Sequence, residues 1–157
     1  MGAMTDEEAM ALALAEAALA VEHDDVPVGA IAIAGGRVVG RGHNRREVDS
    51  DPTAHAELLA LREAAEALGR WRLDDVTLIV TLEPCPMCAG ALVAGRVKRL
   101  VFGAPDPKAG ACGSLYNLCV DPRLNHEVAV VGGMQAEAAG ALLSDFFTGF
   151  RGARRPG

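Results

Sequence analysis

VTLIVTLEPCPMCAG, residues 76–90, carries two kinds of secondary structure in succession. Its first seven residues are a β-branched, apolar run of strand length, and so continuous a pattern predicts a strand covered on both faces. Cys85 and Cys88 then stand three apart, which places them on one face of a helical turn. Pro84 suits a helix start, so a short helix is predicted from Cys85 to Ala94. A doubly covered strand running into a helix is the building unit of an α/β sheet.

Working outward, residues 5–23 read as a helix with a Thr5/Glu8 capping box. PVGAIAIA (27–34) and RVVGRGHN (37–44) read as strands joined by the hairpin signal Gly35-Gly36. NRREVDSDP (44–52) reads as a loop. A second helix is predicted over Thr53–Leu68, with an apolar stripe of Leu58, Leu59, Leu61, Ala65 and Leu68. VKRLVFGA (97–104) and EVAVVGG (127–133) are further strands, residues 104–125 form a long irregular segment, and AEAAGALLSDFFTGFR (136–151) closes as a helix. The order α-β-β-α-β-α-β-β-α predicts an α/β fold around a mixed sheet, antiparallel at its hairpin and parallel at its crossovers.

The 157 residues suit one domain spanning 1–157, large enough for a core without disulfide staples. Residues 1–4 carry no weight, reading equally as a cloning remnant or an alternative start, and 151–157 form a basic tail. Half of the chain is apolar but only 4% aromatic, so Ala, Val and Leu must do most of the packing. No apolar run reaches the ~18 residues of a membrane span, and MGAMTDEE lacks the basic and apolar regions of a signal peptide. A cytoplasmic protein with no membrane partner is expected. The net charge of −6 weighs against nucleic acid on a simple count. Its distribution weighs the other way: acids crowd the first helix, while Arg45 and Arg46, then Arg96, Lys98 and Arg99, and the tail Arg151, Arg154 and Arg155 gather basic charge.

Four cysteines in such a chain favour metal or catalytic use over disulfides. Cys85 and Cys88 lie near a helix N-terminus, whose dipole favours the thiolate that zinc binds. On spacing alone three readings stay open. The pair can be a thiol redox couple, or half of a structural zinc site completed by Cys112 and Cys119. It can also supply two ligands of a catalytic zinc, with His55 as the third and one position open. Glu57, two residues after His55, favours the last. At the first turn of a helix both side chains reach a site over the end of the axis, so Glu57 can approach a metal-held water without being a ligand. Zinc brings the pKa of such a water to about 7, and a neighbouring carboxylate can move the protons that a hydrolytic deamination requires.

These motifs resemble a known family. H-x-E followed by P-C-x-x-C is the signature of the zinc-dependent cytidine deaminase superfamily, and His55-Ala56-Glu57 with Pro84-Cys85-Pro86-Met87-Cys88 is similar to it throughout. The segments DVPVGA, GHNR, DPTAHAE, TLEPCPMCAGAL, VFGA-x-D-x-K-x-GA, GSL, LNH and LLSDFF, spread from Asp25 to Phe147, resemble bacterial tRNA-specific adenosine deaminases. The resemblance implies a three-layer α/β/α cytidine deaminase-like fold with a central mixed five-stranded sheet. It further implies one Zn2+ per subunit on His55, Cys85 and Cys88, with Glu57 as proton shuttle. The reaction implied is hydrolysis of the wobble adenosine (position 34) to inosine in the anticodon stem-loop of tRNA, an arginine tRNA with anticodon ACG, by a homodimer.

By the same resemblance Asn44 would hydrogen-bond the flipped base, Ala56 would offer its backbone N–H, and Val26, Pro27, Leu82 and Pro84 would wall the base pocket. Asp106, Lys108, Phe146, Phe147 and Arg151 are the RNA-contact candidates, the two Phe by stacking. The chain departs from the pattern where Pro105 and Pro107 flank Asp106, displacing an expected arginine, and where Cys112, Cys119 and Asp121-Pro122 stand. Two rivals remain: a cytosine or guanine deaminase acting on free bases, which the acidic charge favours, and a non-catalytic RNA-binding module with a structural zinc.

Overall fold

The computed structural model describes residues 2–154, with side-chain surroundings for residues 2–149. Helix α1 (Asp6–Val21) begins at the predicted capping box: Glu8 N–H donates to Thr5 Oγ1 at 3.1 Å, and Thr5 N–H donates to the Glu8 carboxylate at 3.2 Å. The chain then pairs β1 (Gly29–Ala34) with β2 (Arg37–His43) through Gly35 and Gly36, both at positive φ as this tight hairpin requires.

Strands β3 (Thr77–Leu82), β4 (Arg99–Ala104) and β5 (Ala129–Val131) complete a five-stranded sheet in the order β2-β1-β3-β4-β5. The β2-β1-β3 pairings are antiparallel and β3-β4-β5 are parallel, which is the mixed sheet expected. Period-two alternation sorts its side chains. Ile31, Ile79 and Val101 pack with Ala9, Met10 and Ala13 of α1 on one face. Ala30, Ala32, Leu78, Val80, Leu100 and Phe102 join the larger core on the other. Helix α1 shares its face with α5 (Ala136–Arg154), while α3 (Ala56–Leu68) and α4 (Pro86–Ala94) cover the opposite one. The three layers of the α/β/α sandwich are thereby in place.

Small residues let β2 and α3 approach closely. A Cβ on Gly40 would lie 2.2 Å from the Ala60 carbonyl oxygen, and one on Gly42 would lie 2.4 Å from that of Ala56. Neither position tolerates a side chain without movement.

The structure departs from the sequence expectations at several element ends. Residues 46–49, expected in a loop, form the short helix α2 (Arg46–Asp49). Its first turn is capped from a distance, since Glu47 N–H donates to Asp25 Oδ2 at 3.0 Å, and no local pattern could show that. Helix α3 starts at Ala56 rather than Thr53, because the Asp51 carboxylate accepts from both the N–H and hydroxyl of Thr53 in a turn. Helix α4 starts at Pro86, the proline of its first turn, so Cys85 is its cap. Strand β5 keeps only three of the seven residues predicted. Cys112 and Cys119 are buried, with sulfurs 3.8 Å apart. Among the described residues no helix is long and apolar enough to cross a membrane. The side chains of Arg151 and Arg154, and the whole of Arg155, lie outside the described residues.

Candidate metal centre and active site

Two helix caps build the centre. His55 caps α3 with extended backbone (φ −82°, ψ 148°), and Cys85 caps α4 likewise (φ −75°, ψ 173°). Cys88, one turn into α4, is buried. His55 Nδ1 lies 3.7 Å from Cys85 Sγ and 3.6 Å from Cys88 Sγ, and the three candidate ligand atoms all fall within 4.8 Å of one another. A tetrahedral zinc with nitrogen at about 2.1 Å and sulfur at about 2.3 Å sets an N–S edge of about 3.6 Å, so the donor set fits that ion. Among the described residues His55, Cys85 and Cys88 form a three-ligand group that Cys112 and Cys119 do not join. The closed four-ligand site weighed above is therefore not built among the described residues, and a zinc held by these three would keep a position for substrate or water.

The protons of this cluster are displaced from their usual positions. Hydrogen bonds from Cys88 and His55 pull the Cys85 thiol down to about 3, whereas its bond to Cys85 and its burial push Cys88 up. His55 is raised, first by the sulfur of Cys85. Glu57 is 4% exposed, and that desolvation pushes its carboxyl up to about 7, the range in which an acid both takes and returns protons at neutral pH.

A cavity of about 170 Å³ opens beside these groups, lined by Val26, Asn44, Arg46, Leu82, Glu83 and Asp106, with His55, Glu57 and Cys85 at its base. Asn44, at the end of β2, is 6% exposed, and its Oδ1 accepts the Ala56 N–H at 2.9 Å. That bond fixes the amide orientation, because only oxygen can accept there. The Ala56 N–H, expected to face the base, is thus engaged by Asn44. Val26 and Leu82 line the cavity as expected. Pro27 and Pro84 are buried and stand outside the described lining.

Beyond it a groove of about 390 Å³ shares Val26, Leu82 and Asp106 with the cavity and continues over Pro105, Pro107, Lys108, Leu143 and Phe147. Phe147 is 40% exposed, and Phe146 meets it edge-on with ring centroids 5.5 Å apart.

Three of the residues found here escaped the sequence reading. Asp25 is fully covered and accepts from Arg46 Nη2 at 2.9 Å, Arg46 Nε at 3.1 Å and Val26 N–H at 2.9 Å, in addition to the α2 cap. It holds Arg46 at the cavity rim. Glu83, 2% exposed, sits between strand β3 and Cys85. An acid closing a strand buried on both faces was a readable sign of it.

Comparison with known proteins agrees with this geometry. The family profile described as MafB19-like deaminase matches residues 4–151. The chain belongs to that deaminase family. Among relatives of this deaminase, the tRNA-specific adenosine deaminase of Bacillus subtilis (strain 168) is 50% identical over 93% of this chain and 91% of its own. A solved tRNA:A34 deaminase, described for A-to-I editing at the wobble position of transfer RNA, superimposes with a TM-score of 0.83 at 44% identity, covering 86% of this chain and 98% of that one. A guanine deaminase from Nitrosomonas europaea superimposes with a TM-score of 0.80 at 25% identity, over 90% and 84% of the two chains.

Proposed function

We propose that this deaminase hydrolyses adenosine to inosine at the wobble position of a tRNA anticodon loop, that of an arginine tRNA with anticodon ACG, using one zinc per subunit on His55, Cys85 and Cys88. The observation that carries the reading is the pairing of a small cavity over Glu57 with a groove continuous with it. A flipped base fills the first, and nucleotides on either side of it need the second. A free base would fill the cavity and leave the groove empty.

When bound, zinc supplies Lewis-acid chemistry that brings a water's pKa to about 7. The remaining steps belong to the chain. Glu57 takes a proton from the attacking water, delivers it to the ring nitrogen next to the reacting carbon, and then carries the proton of the newly added hydroxyl to the amine as the carbon–amine bond breaks and the carbonyl forms, so that adenosine and water become inosine and ammonia. Asn44, its oxygen held by Ala56 N–H, turns its amide NH2 to an acceptor on the base. Arg46 and Lys108 offer cations to the flanking phosphates, Asp106 shapes the loop between them by accepting the Lys108 and Ala109 N–H groups, and Phe147 offers a ring for stacking. Arg151 extends the same helix. A homodimer is supported by an apolar groove of about 250 Å³ between α3 and α4, lined by Leu58, Leu61, Ala65, Leu73 and Ala91 and bordered by Trp71, which is 61% exposed.

The test is inosine formation in a synthetic anticodon stem-loop bearing ACG, run beside free adenosine, guanine and cytosine with zinc-loaded protein. Inosine at the wobble position alone is expected. Turnover of a free base alone would keep the hydrolytic chemistry and overturn the substrate.

A further inference from the structure

Glu83 takes no part in the chemistry just described, yet its buried carboxylate beside the cavity accepts four hydrogen bonds. Its Oε1 accepts from Asp106 N–H at 3.0 Å and from the Ser114 hydroxyl, and its Oε2 accepts from Cys112 N–H and Ser114 N–H, both at 3.0 Å. Every one of these donors belongs to the 104–114 segment. The backbone reinforces the bridge, since Glu83 N–H donates to the Ala104 carbonyl at 2.9 Å and Ala111 N–H donates to that of Pro84 at 2.8 Å. The segment therefore leaves β4, folds over residues 83–84 and is gathered around one carboxylate.

Gly110 makes room for that carboxylate. A Cβ there would stand 2.4 Å from both Glu83 Cδ and Oε2. Its N–H also donates to the Asp106 carbonyl at 2.8 Å, closing the turn that carries Pro107 and Lys108. The turn so fixed contributes Asp106 and Ala109 to the reaction cavity, and Pro105, Asp106, Pro107 and Lys108 to the groove beside it.

We propose that Glu83 is a positioning residue which, through the amides of Asp106, Cys112 and Ser114, holds the 104–114 loop as the outer wall of the base cavity and its adjoining groove, and so governs substrate affinity. This rests on the reading above for which substrate the loop meets. An acid is required because both oxygens face N–H donors. Glutamine turns an NH2 towards at least one of them whichever way it is placed, and leaves buried N–H groups without an acceptor. Glu83 is separate from the proton path, where Glu57 already serves, and its effect is carried by the loop.

Zinc-loaded wild type, Glu83→Gln, Glu83→Ala and Gly110→Ala are compared by zinc content, hydrogen exchange and steady-state turnover of the anticodon stem-loop. In all three variants, amide protection in 104–114 is expected to fall at least about tenfold while peptides from β3 and α3 keep theirs. KM is expected to rise about tenfold with kcat changed less than about threefold. Gly110→Ala keeps the acid but crowds its carboxylate, and its methyl would also lie 2.5 Å from the Asp106 carbonyl oxygen, so it tests the packing of the loop on Glu83 from the loop side and serves should the Glu83 variants fold poorly. Unchanged exchange across 104–114 in Gly110→Ala and Glu83→Gln would overturn the proposal, as would a loss confined to kcat. Exchange does not depend on the substrate. A wild type inactive on stem-loops but showing the predicted loss of protection would refute the tRNA reading and leave the latch standing.

Discussion

Replacing Gly42 with alanine tests whether the spacing between β2 and α3 sets the active site. The new methyl would lie 2.4 Å from the Ala56 carbonyl oxygen, 2.9 Å from the Ala60 nitrogen and 3.0 Å from Leu59 Cβ, and the two nearest of these are backbone atoms, which cannot rotate away. Strand and helix must separate by at least about 0.6 Å to bring the first contact to 3.0 Å, and overpacking of this kind costs about 1–3 kcal/mol. The affected turn of α3 carries Glu57, and its preceding cap is His55, while Asn44 follows the affected strand, two residues beyond Gly42. A catalytic constellation tolerates about 0.5 Å, and a misplacement of about 1 Å can cost about 100-fold. We therefore expect Gly42→Ala to lower kcat/KM by about 10- to 100-fold, with zinc retained. Gly40→Ala is the control: its clash with Ala60 is as severe, but it falls one turn further from the site. Urea unfolding and stem-loop turnover of both variants decide the matter. If Gly42→Ala loses stability and keeps activity within twofold of wild type, or loses no more activity than Gly40→Ala, the strand–helix spacing does not position the catalytic groups.

Glu57→Gln should keep zinc and fold but lose about 10²- to 10⁴-fold in kcat; turnover near the wild-type rate would remove Glu57 from proton transfer. His55→Ala, Cys85→Ala and Cys88→Ala should each emerge depleted in zinc, and a fully loaded variant at any of the three would contradict its assignment as a ligand. Chelation of wild type should abolish turnover while leaving circular dichroism near native, whereas unfolding on metal loss would mark the zinc as structural. Burial alone would raise the Asp25 carboxyl, but the Glu47 N–H, the Arg46 guanidinium and the Val26 N–H together hold it below the ordinary carboxylate value. With the folded pKa depressed, its stabilisation is complete above the unfolded pKa of about 4 and is lost as pH falls through the folded value. Asp25→Asn should therefore be destabilised at pH 7 by about 1–3 kcal/mol, with the gap to wild type closing below pH 4 in urea titrations; a pH-independent gap would mean the carboxylate charge contributes nothing.

What the sequence revealed was local. The run at 76–82 announced a doubly covered strand, Thr5 with Glu8 announced a capped helix, and the histidine, glutamate and cysteines announced a group able to hold a metal because each pair sits within one turn. What it hid was paired across distance. The cap of α2 comes from Asp25, Glu83 draws in a loop twenty-three to thirty-one residues ahead, and Arg46 is fixed at the cavity by a carboxylate twenty-one residues behind it. None of these leaves a period or spacing that a local pattern can detect. The starts of α3 and α4 moved for a related reason. Helix propensity does not report that His55 and Cys85 must stay extended to turn their side chains over the helix ends.

Strand direction explains why residues scattered from Val26 to Asp106 line one small cavity. β1 runs antiparallel to β3, so its entry, preceded by Val26, lies at the edge where β3 ends at Leu82. β2 runs antiparallel to β1, with His43 opposite Gly29, so Asn44 leaves the sheet at the same edge. β4 runs parallel to β3, with Ala104 opposite Leu82, and delivers Asp106 there too. Only the side-chain facing remains to be set, and here the hairpin has a particular device. Its register shifts between Ala32, opposite Gly40, and Ile33, opposite Val38, leaving Val39 as an extra residue on β2. Side chains alternate along a strand, so one inserted residue exchanges the faces of everything beyond it. The bulge brings the two glycines of β2 against α3 and Asn44 to the Ala56 N–H. A regular hairpin of the same length would turn the clefts for α3 outward and Asn44 away from the cavity.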